Sequence, residues 1–294
     1  MSLDRRQFIK LAGLGMGGLL LSSGDAAAAK GLGSEHELAL LYDTSKCIGC
    51  RACQNACREW NQTTPQTDPS ELYDAPSNLS AETWTLIKIA KPETEWPFIN
   101  YQCMHCTDAA CVNVCPTGAL FHDENGFVGI DQDKCNGCGY CTQFCPYGVP
   151  HLGEVNLVTG EATAAKCTFC QDRIHEGIGG PFCAERCPTE ALLWGNREEL
   201  LDQARARVSD LRGQGLAEAR LYGETQAGGL HRLSILLDKP SVYDLPSDPT
   251  GPVAFSGVWQ RVIQPLGGIA VGATTLGLVI NWLVARTQIK AEEM

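Results

Sequence analysis

Sixteen cysteines in a chain of 294 residues fall into four groups of four, and the spacing within each group points to one kind of chemistry. The third group, Cys135, Cys138, Cys141 and Cys145, reads C-N-G-C-G-Y-C-T-Q-F-C-P. Three thiolates at intervals of three on a tight loop can be aimed at one cubane iron–sulfur cluster. The fourth, opening a short helix before Pro146, is carried away towards a second cluster. The first group, Cys47, Cys50, Cys53 and Cys57, repeats this arrangement down to its neighbours. Asp43, Lys46 and Gly49 recur as Asp131, Lys134 and Gly137, which marks an internal duplication.

The other two groups are variations. In Cys103, Cys106, Cys111 and Cys115 the second gap widens to four residues. In Cys167, Cys170, Cys183 and Cys187 it widens to 12 residues and carries Gly177, Gly179 and Gly180. Both groups close alike, as Cys115-Pro116-Thr117-Gly118-Ala119-Leu120 and Cys187-Pro188-Thr189-Glu190-Ala191-Leu192. Glycine beside a ligand lets the backbone approach a cluster, and successive amides can form a concave nest for its negative charge. Lys46, Arg51 and Lys134 can assist electrostatically or stand as solvated surface charge. Zinc held by four cysteines is the competing reading, but its C-x2-C pairs are usually separated, unlike these compact runs. No cysteine is left over for a disulfide scaffold.

His105 lies between two cysteines of its group, yet four thiolates already complete the set and a structural role suffices. His151 and His175 stand near cluster loops with nothing further to assign them. No dinucleotide-binding glycine loop, nucleophile motif, or molybdenum or flavin signature is present. The pattern is that of an electron carrier without a catalytic site of its own.

Composition agrees with a folded protein, at 44% hydrophobic and 19% charged residues. A net charge of -11 without clustered Lys and Arg excludes a nucleic-acid surface and favours a protein or membrane partner. The elements that must position the cysteines are short. Trp84–Ile89 alternates as a strand after an irregular loop containing Pro65, Pro69 and Pro76. Residues 119–122 and 127–130 flank Asp123-Glu124-Asn125-Gly126 as a hairpin. Trp60, Trp84 and Trp96 read as core or interface aromatics. Arg197–Arg212 is an amphipathic helix with Leu200, Leu201, Ala204, Val208 and Leu211 on one side. Leu230–Leu237 reads as a strand, and Pro240–Pro252 as a linker.

Both ends carry targeting signals. Arg5-Arg6-Gln7-Phe8-Ile9-Lys10, a glycine-rich apolar run and Ala26–Ala29 form a twin-arginine export pattern over residues 1–29, with cleavage near Ala28 or Ala29, or retention as an anchor. That route exports proteins already folded, which suits clusters inserted in the cytoplasm. Val262–Ala285 runs 24 residues without a charge. At helical rise this spans about 36 Å, enough for a hydrocarbon core of roughly 30 Å. Arg286 and Lys290 follow it while Arg261 alone closely precedes it, so the positive-inside tendency places the C-terminus in the cytoplasm.

The order of the four groups, the insertion in the last and the apolar C-terminal helix resemble the iron–sulfur (beta) subunit of membrane-bound respiratory formate dehydrogenases. Cys47-Ile48-Gly49-Cys50, Glu59-Trp60-Asn61, Tyr73-Asp74, Leu79-Ser80-Ala81 before Trp84, Cys103-Met104-His105-Cys106, and Gly195 ahead of the Arg197 helix carry the likeness. The resemblance implies an α+β fold of two bacterial-ferredoxin-like 2[4Fe-4S] units plus a transmembrane helix. The patterns above divide the chain into the signal at 1–29, a four-cluster domain at 38–196, a packing segment at 197–251 and a membrane helix at 262–285. The resemblance implies that the first and fourth groups form one unit of that domain and the second and third the other. It implies a catalytic partner with molybdenum or tungsten and a pterin that oxidises formate, and a membrane cytochrome b or quinone-reactive partner. Adjacency alone would allow the first group to pair with the second and the third with the fourth. The resemblance instead implies crossed ligation: Cys47, Cys50, Cys53 with Cys187; Cys167, Cys170, Cys183 with Cys57; Cys103, Cys106, Cys111 with Cys145; Cys135, Cys138, Cys141 with Cys115. Nitrate reductase relatives place tryptophan where this chain has Cys138, so four cubanes are expected. An export signal on this chain itself resembles instead the iron–sulfur subunits of some periplasmic nickel–iron hydrogenases.

Overall fold

The structure is a computed structural model, and it describes residues 37–64, 76–90, 98–153, 162–249 and 262–292. The twin-arginine segment, Pro65, Pro69, Tyr73-Asp74, Trp96, Pro252 and Arg261 lie outside the described residues. Strand β1 (Leu38–Asp43) leads into helix α1 (Ala52–Asn61), followed by β2 (Leu86–Ile89) and β3 (Phe98–Tyr101). Next come α2 (Ala110–Asn113), the hairpin β4 (Leu120–His122) and β5 (Val128–Ile130), and α3 (Tyr140–Phe144). The two-residue strands β6 (His151–Leu152) and β7 (Ala164–Ala165) precede α4 (Gln171–His175) and α5 (Phe182–Glu185). The chain continues through β8 (Leu192–Asn196), α6 (Arg197–Gly213), β9 (Arg220–Tyr222), β10 (Arg232–Leu236) and α7 (Gln264–Glu292).

Three small antiparallel pairs, β2–β3, β4–β5 and β6–β7, stand among the cysteine loops. The organising sheet is a different one, with strand order β8-β1-β10-β9. Its central pair is parallel, Leu40 opposite Arg232 and Tyr42 opposite Ser234, so a strand from the start of the domain meets one from near its end. Strand β1 has five buried residues out of six, and all five of β10 are buried, as expected for strands covered on both faces. One face receives α6 through Leu200, Leu201, Ala204, Val208 and Leu211, packed on Ala39, Leu41, Leu233, Ile235 and Leu237. Each fully buried leucine there contributes roughly 1.5–3 kcal/mol. The other face, with Leu40, Tyr42 and Leu236, joins the core that includes Cys47, Cys53 and Cys183.

The helix α6 begins where the sequence predicts, because the Asn196 side chain accepts from the amides of Glu198 and Glu199 at 2.9 and 3.2 Å. Such a cap contributes about 1 kcal/mol. Two expected elements differ in extent. The strand expected from Trp84 starts only at Leu86, because the Trp84 indole turns back to donate to the Ala81 carbonyl at 2.6 Å. The proline-rich stretch from Pro240 opens with a turn that buries Tyr243 and Leu245, so its first residues are packed. In α7, residues 266–283 have a mean hydropathy of 1.6 and none of that window is buried. By length and composition this helix could cross a membrane.

Candidate metal centres

The first and third cysteine groups begin from one local device. Asp43 accepts from the amide of Ser45 at 2.9 Å, and Asp131 from that of Asp133 at 3.1 Å. Each aspartate caps a single turn that ends on Lys46 or Lys134 and delivers Cys47 or Cys135 to its loop. Gly49 and Gly137 then both take φ of +69°, a left-handed conformation that turns the loop towards its thiols. The next reversal, at Arg51 and at Gly139, is left-handed too and starts the helices carrying Cys53 and Cys141. Cys57 follows Cys53 on α1 after one turn, and Cys145 closes α3. The helices α2 and α5 carry Cys111 and Cys183, and Cys115 and Cys187 follow directly after the residues that cap them.

These helices carry each fourth cysteine to a distant group. Cys47, Cys50, Cys53 and Cys187 line one cavity, and Cys115, Cys135, Cys138 and Cys141 line another. The remaining eight are deeper. Burial, then Cys167 and Cys170, push the Cys57 thiol well above its ordinary value, and burial with Cys167, Cys170 and Cys57 does so for Cys183. Burial, then Cys103, Cys111 and Cys145, raise Cys106 in the same way. The two deep sets touch. Cys103 and Cys167 pack together with Val149, flanked by Cys145, and burial followed by Cys103 pushes Cys167 up to about 12.

The donor set fits [4Fe-4S] clusters. Where the thiols lie deepest, as at Cys57, Cys106 and Cys183, burial and then the neighbouring cysteines oppose ionisation, a penalty that a bound cationic metal would compensate. N–H groups are already aimed at sulfur: Gly49 at Cys47 (3.5 Å), Ala164 at Cys135 (3.3 Å), Asn61 at Cys57 (3.5 Å) and Asn100 at Cys53 (3.6 Å). Such donors solvate a negative cluster in a buried site. Among the described residues no three His, Cys, Asp or Glu side chains close on a single ion.

The histidines have other tasks. His105 is fully buried edge-on against the stacked rings of Phe127 and Phe169, with Nδ1 3.2 Å from the Val128 carbonyl. His175 Nε2 meets Asp123 at 2.8 Å, and His151 pairs across β6–β7 with Ala165. Trp60 donates to Asp172 at 2.7 Å and stacks under Arg173.

Three residues around the buried sets escape a reading of the sequence: Asn100, Lys166 and Arg232. Lys166 is 1% exposed, its ammonium donating to the carbonyls of Val128 at 2.7 Å and Cys167 at 2.9 Å. A signal for it exists, since Lys166-Cys167 repeats the order of Lys46-Cys47 and Lys134-Cys135. No comparable signal marks Arg232, which sits in a strand of otherwise ordinary composition.

The fold and these sites define an iron–sulfur protein of two ferredoxin-type halves. Two family profiles described as 4Fe-4S dicluster domain match residues 46–119 and 94–197. The formate dehydrogenase iron-sulfur subunit of Haemophilus influenzae is 36% identical, covering 92% of this chain and 88% of its own length. The nitrate-inducible formate dehydrogenase iron-sulfur subunit of Escherichia coli is 37% identical over 84% of this chain and 85% of its own. The hydrogenase-2 operon protein HybA of Escherichia coli O157:H7 is 31% identical over 93% and 94%. The chain belongs to the family of formate dehydrogenase iron–sulfur subunits, which are not the catalytic subunits.

Proposed function

We propose that this chain conducts electrons through four [4Fe-4S] clusters, held in the crossed arrangement by Cys47, Cys50, Cys53 and Cys187; Cys167, Cys170, Cys183 and Cys57; Cys103, Cys106, Cys111 and Cys145; and Cys135, Cys138, Cys141 and Cys115. The observation that supports the reading is that Cys187 lines a cavity with Cys47, Cys50 and Cys53, and Cys115 one with Cys135, Cys138 and Cys141. Bound clusters supply one-electron carriers. The protein's own part is to bury the two inner sets while Cys50, beside the exposed Ile48, and Cys138, near Leu152, open the outer two to partners.

The donor in this reading is a molybdenum or tungsten–pterin subunit that oxidises formate, and the acceptor a membrane cytochrome b or quinone-reactive subunit. The chain is exported by the twin-arginine route, stands on the periplasmic face, and crosses the inner membrane once through α7 with its C-terminus in the cytoplasm. The names and coverage of the formate dehydrogenase relatives support the donor. The near full-length match to HybA supports a second reading, an equivalent subunit serving a nickel–iron hydrogenase.

Metal analysis of the complex purified anaerobically from native membranes tests the core of this proposal. About 16 irons per chain and a visible spectrum bleached by dithionite are expected for four cubanes. Zinc without that colour overturns it. Molybdenum or tungsten with formate-dependent quinone reduction selects the first donor, and nickel selects the second. A reporter fused after Met294 should be active in the cytoplasm, and periplasmic activity would refute the topology.

A further inference from the structure

Strand β10 lies beyond both dicluster profile matches, yet it sends a cation among the cysteine sets. Arg232 is 0% exposed, and among the described residues it forms no ion pair. One terminal nitrogen donates to the Asn100 carbonyl at 2.8 Å and to the Asn100 side-chain oxygen at 3.0 Å, and the other to the Ser234 hydroxyl. Its Nε is buried with no hydrogen-bond partner among the described residues, and the guanidinium lies 5.1 Å from the Tyr42 ring centroid. Burying a guanidinium without a counter-charge is costly, so a compensating negative charge must be found nearby. Among the described residues no carboxylate supplies it. The groups that hold the guanidinium's proton against burial are Tyr42, Cys183, Cys167 and Cys53.

Asn100 connects this cation to sulfur. With its carbonyl oxygen engaged by Arg232, its amide nitrogen is left to donate to Cys53 Sγ at 3.6 Å and to Thr85 Oγ1 at 3.0 Å. Arg232 thus fixes the rotamer in which Asn100 presents N–H rather than oxygen to the sulfur.

We propose that Arg232 is the internal counter-charge of the cluster site containing Cys53, acting on it partly through Asn100, and that it raises the reduction potential of that site. This inference rests on the cluster reading above. One-electron reduction adds one negative charge inside the site, and a fixed buried cation stabilises that form over the oxidised one. Arg232 is a positioning residue in this role. It touches no substrate.

The test is an EPR-monitored redox titration of the intact membrane complex carrying wild-type chain, Arg232→Gln or Arg232→Lys, with iron content measured alongside. Arg232→Gln should disfavour reduction of at least one cluster by tenfold or more, about 59 mV for a one-electron couple. Arg232→Lys should stay near wild type. Unshifted potentials in a fully loaded Arg232→Gln complex overturn the proposal, as does an equal shift in Arg232→Lys. If Arg232→Gln loses iron, full loading and near-wild-type potentials in Arg232→Lys assign the requirement to charge. Loss of iron in both assigns it to guanidinium packing and refutes the counter-charge. Absence of [4Fe-4S] signals from the wild-type complex would refute the cluster reading itself, independently of either variant.

Discussion

The loops around Cys47 and Cys135 are near copies in sequence and backbone, but they sit in different surroundings. Both start with an aspartate-capped turn and both place glycine at φ of +69° two residues after the first cysteine. Asp43 is buried under α6, where Arg207 donates to it at 3.1 Å and to Ser45 at 2.9 Å. Asp131 pairs with its own Lys134, whose side chain is 61% exposed. Cys53 reaches towards Asn100 and the core, whereas the third loop rests on small hairpins. Local sequence therefore sets the shape of a cysteine loop. The elements packed over it set its burial, its charge and what depends on it.

Removing a cysteine from each loop is the severest test of that difference. Cys138→Ser, at the exposed loop, should leave a folded chain short of roughly four of its 16 irons. Cys53→Ser should deplete iron from its own set and from the neighbouring one, and cut the yield of folded complex sharply, because Cys53 is part of the main core. Equal iron loss and equal yield would erase the distinction. The glycines test the local geometry. A Cβ on Gly137 would stand 2.1 Å from the backbone oxygen of Ala162, while one on Gly49 would stand 2.4 Å from a Phe98 ring carbon that can rotate away. Gly137→Ala should therefore cost about 3–4 kcal/mol and Gly49→Ala about 2, read as shifts in the denaturant midpoint for loss of cluster absorbance.

A pH experiment addresses the seam between the regions. His231 on β10 bonds to the Leu38 carbonyl at 2.7 Å and packs against Gly126 of the β4–β5 turn. Burial, with Arg197 and His122 adding to it, pulls the imidazole down to about 4 despite that carbonyl. The unfolded chain then binds more protons between pH 4 and an unfolded value of about 6.5, so stability is full above that value and falls as pH drops. The loss reaches up to about 3 kcal/mol at the acid end, and His231→Gln should flatten it in acid-unfolding curves. The smallest contrast is between the two charge partners. Arg207→Gln leaves Asp43 buried and should cost about 2 kcal/mol, whereas Lys134→Gln should leave the melting temperature unchanged.

Much of the centre is legible in the order of residues. Cysteine spacing is a local signal, since ligands three residues apart must share a loop, and the Asp-x-x-Lys-Cys repeat announces the capped turn by itself. The α6 face is legible too, because Leu200, Leu201, Ala204, Val208 and Leu211 follow helical periodicity. Strand β1 is not, since Leu38–Asp43 is a short run whose meaning depends on its neighbours. The β8-β1-β10-β9 order is equally hidden, because pairing between Leu40 and Arg232 leaves no mark at either position.

The donor atoms, the loops that bear them and the cofactor class they suit are thus written in the chain's primary structure. They follow from covalent spacing and local backbone preference. Which cysteines share a cavity, which loop is buried, and that Arg232 and Lys166 are interior cations emerge only with tertiary packing. Burial and the company of charges are properties of residues distant along the chain, brought together when the parallel β1–β10 pair closes the domain.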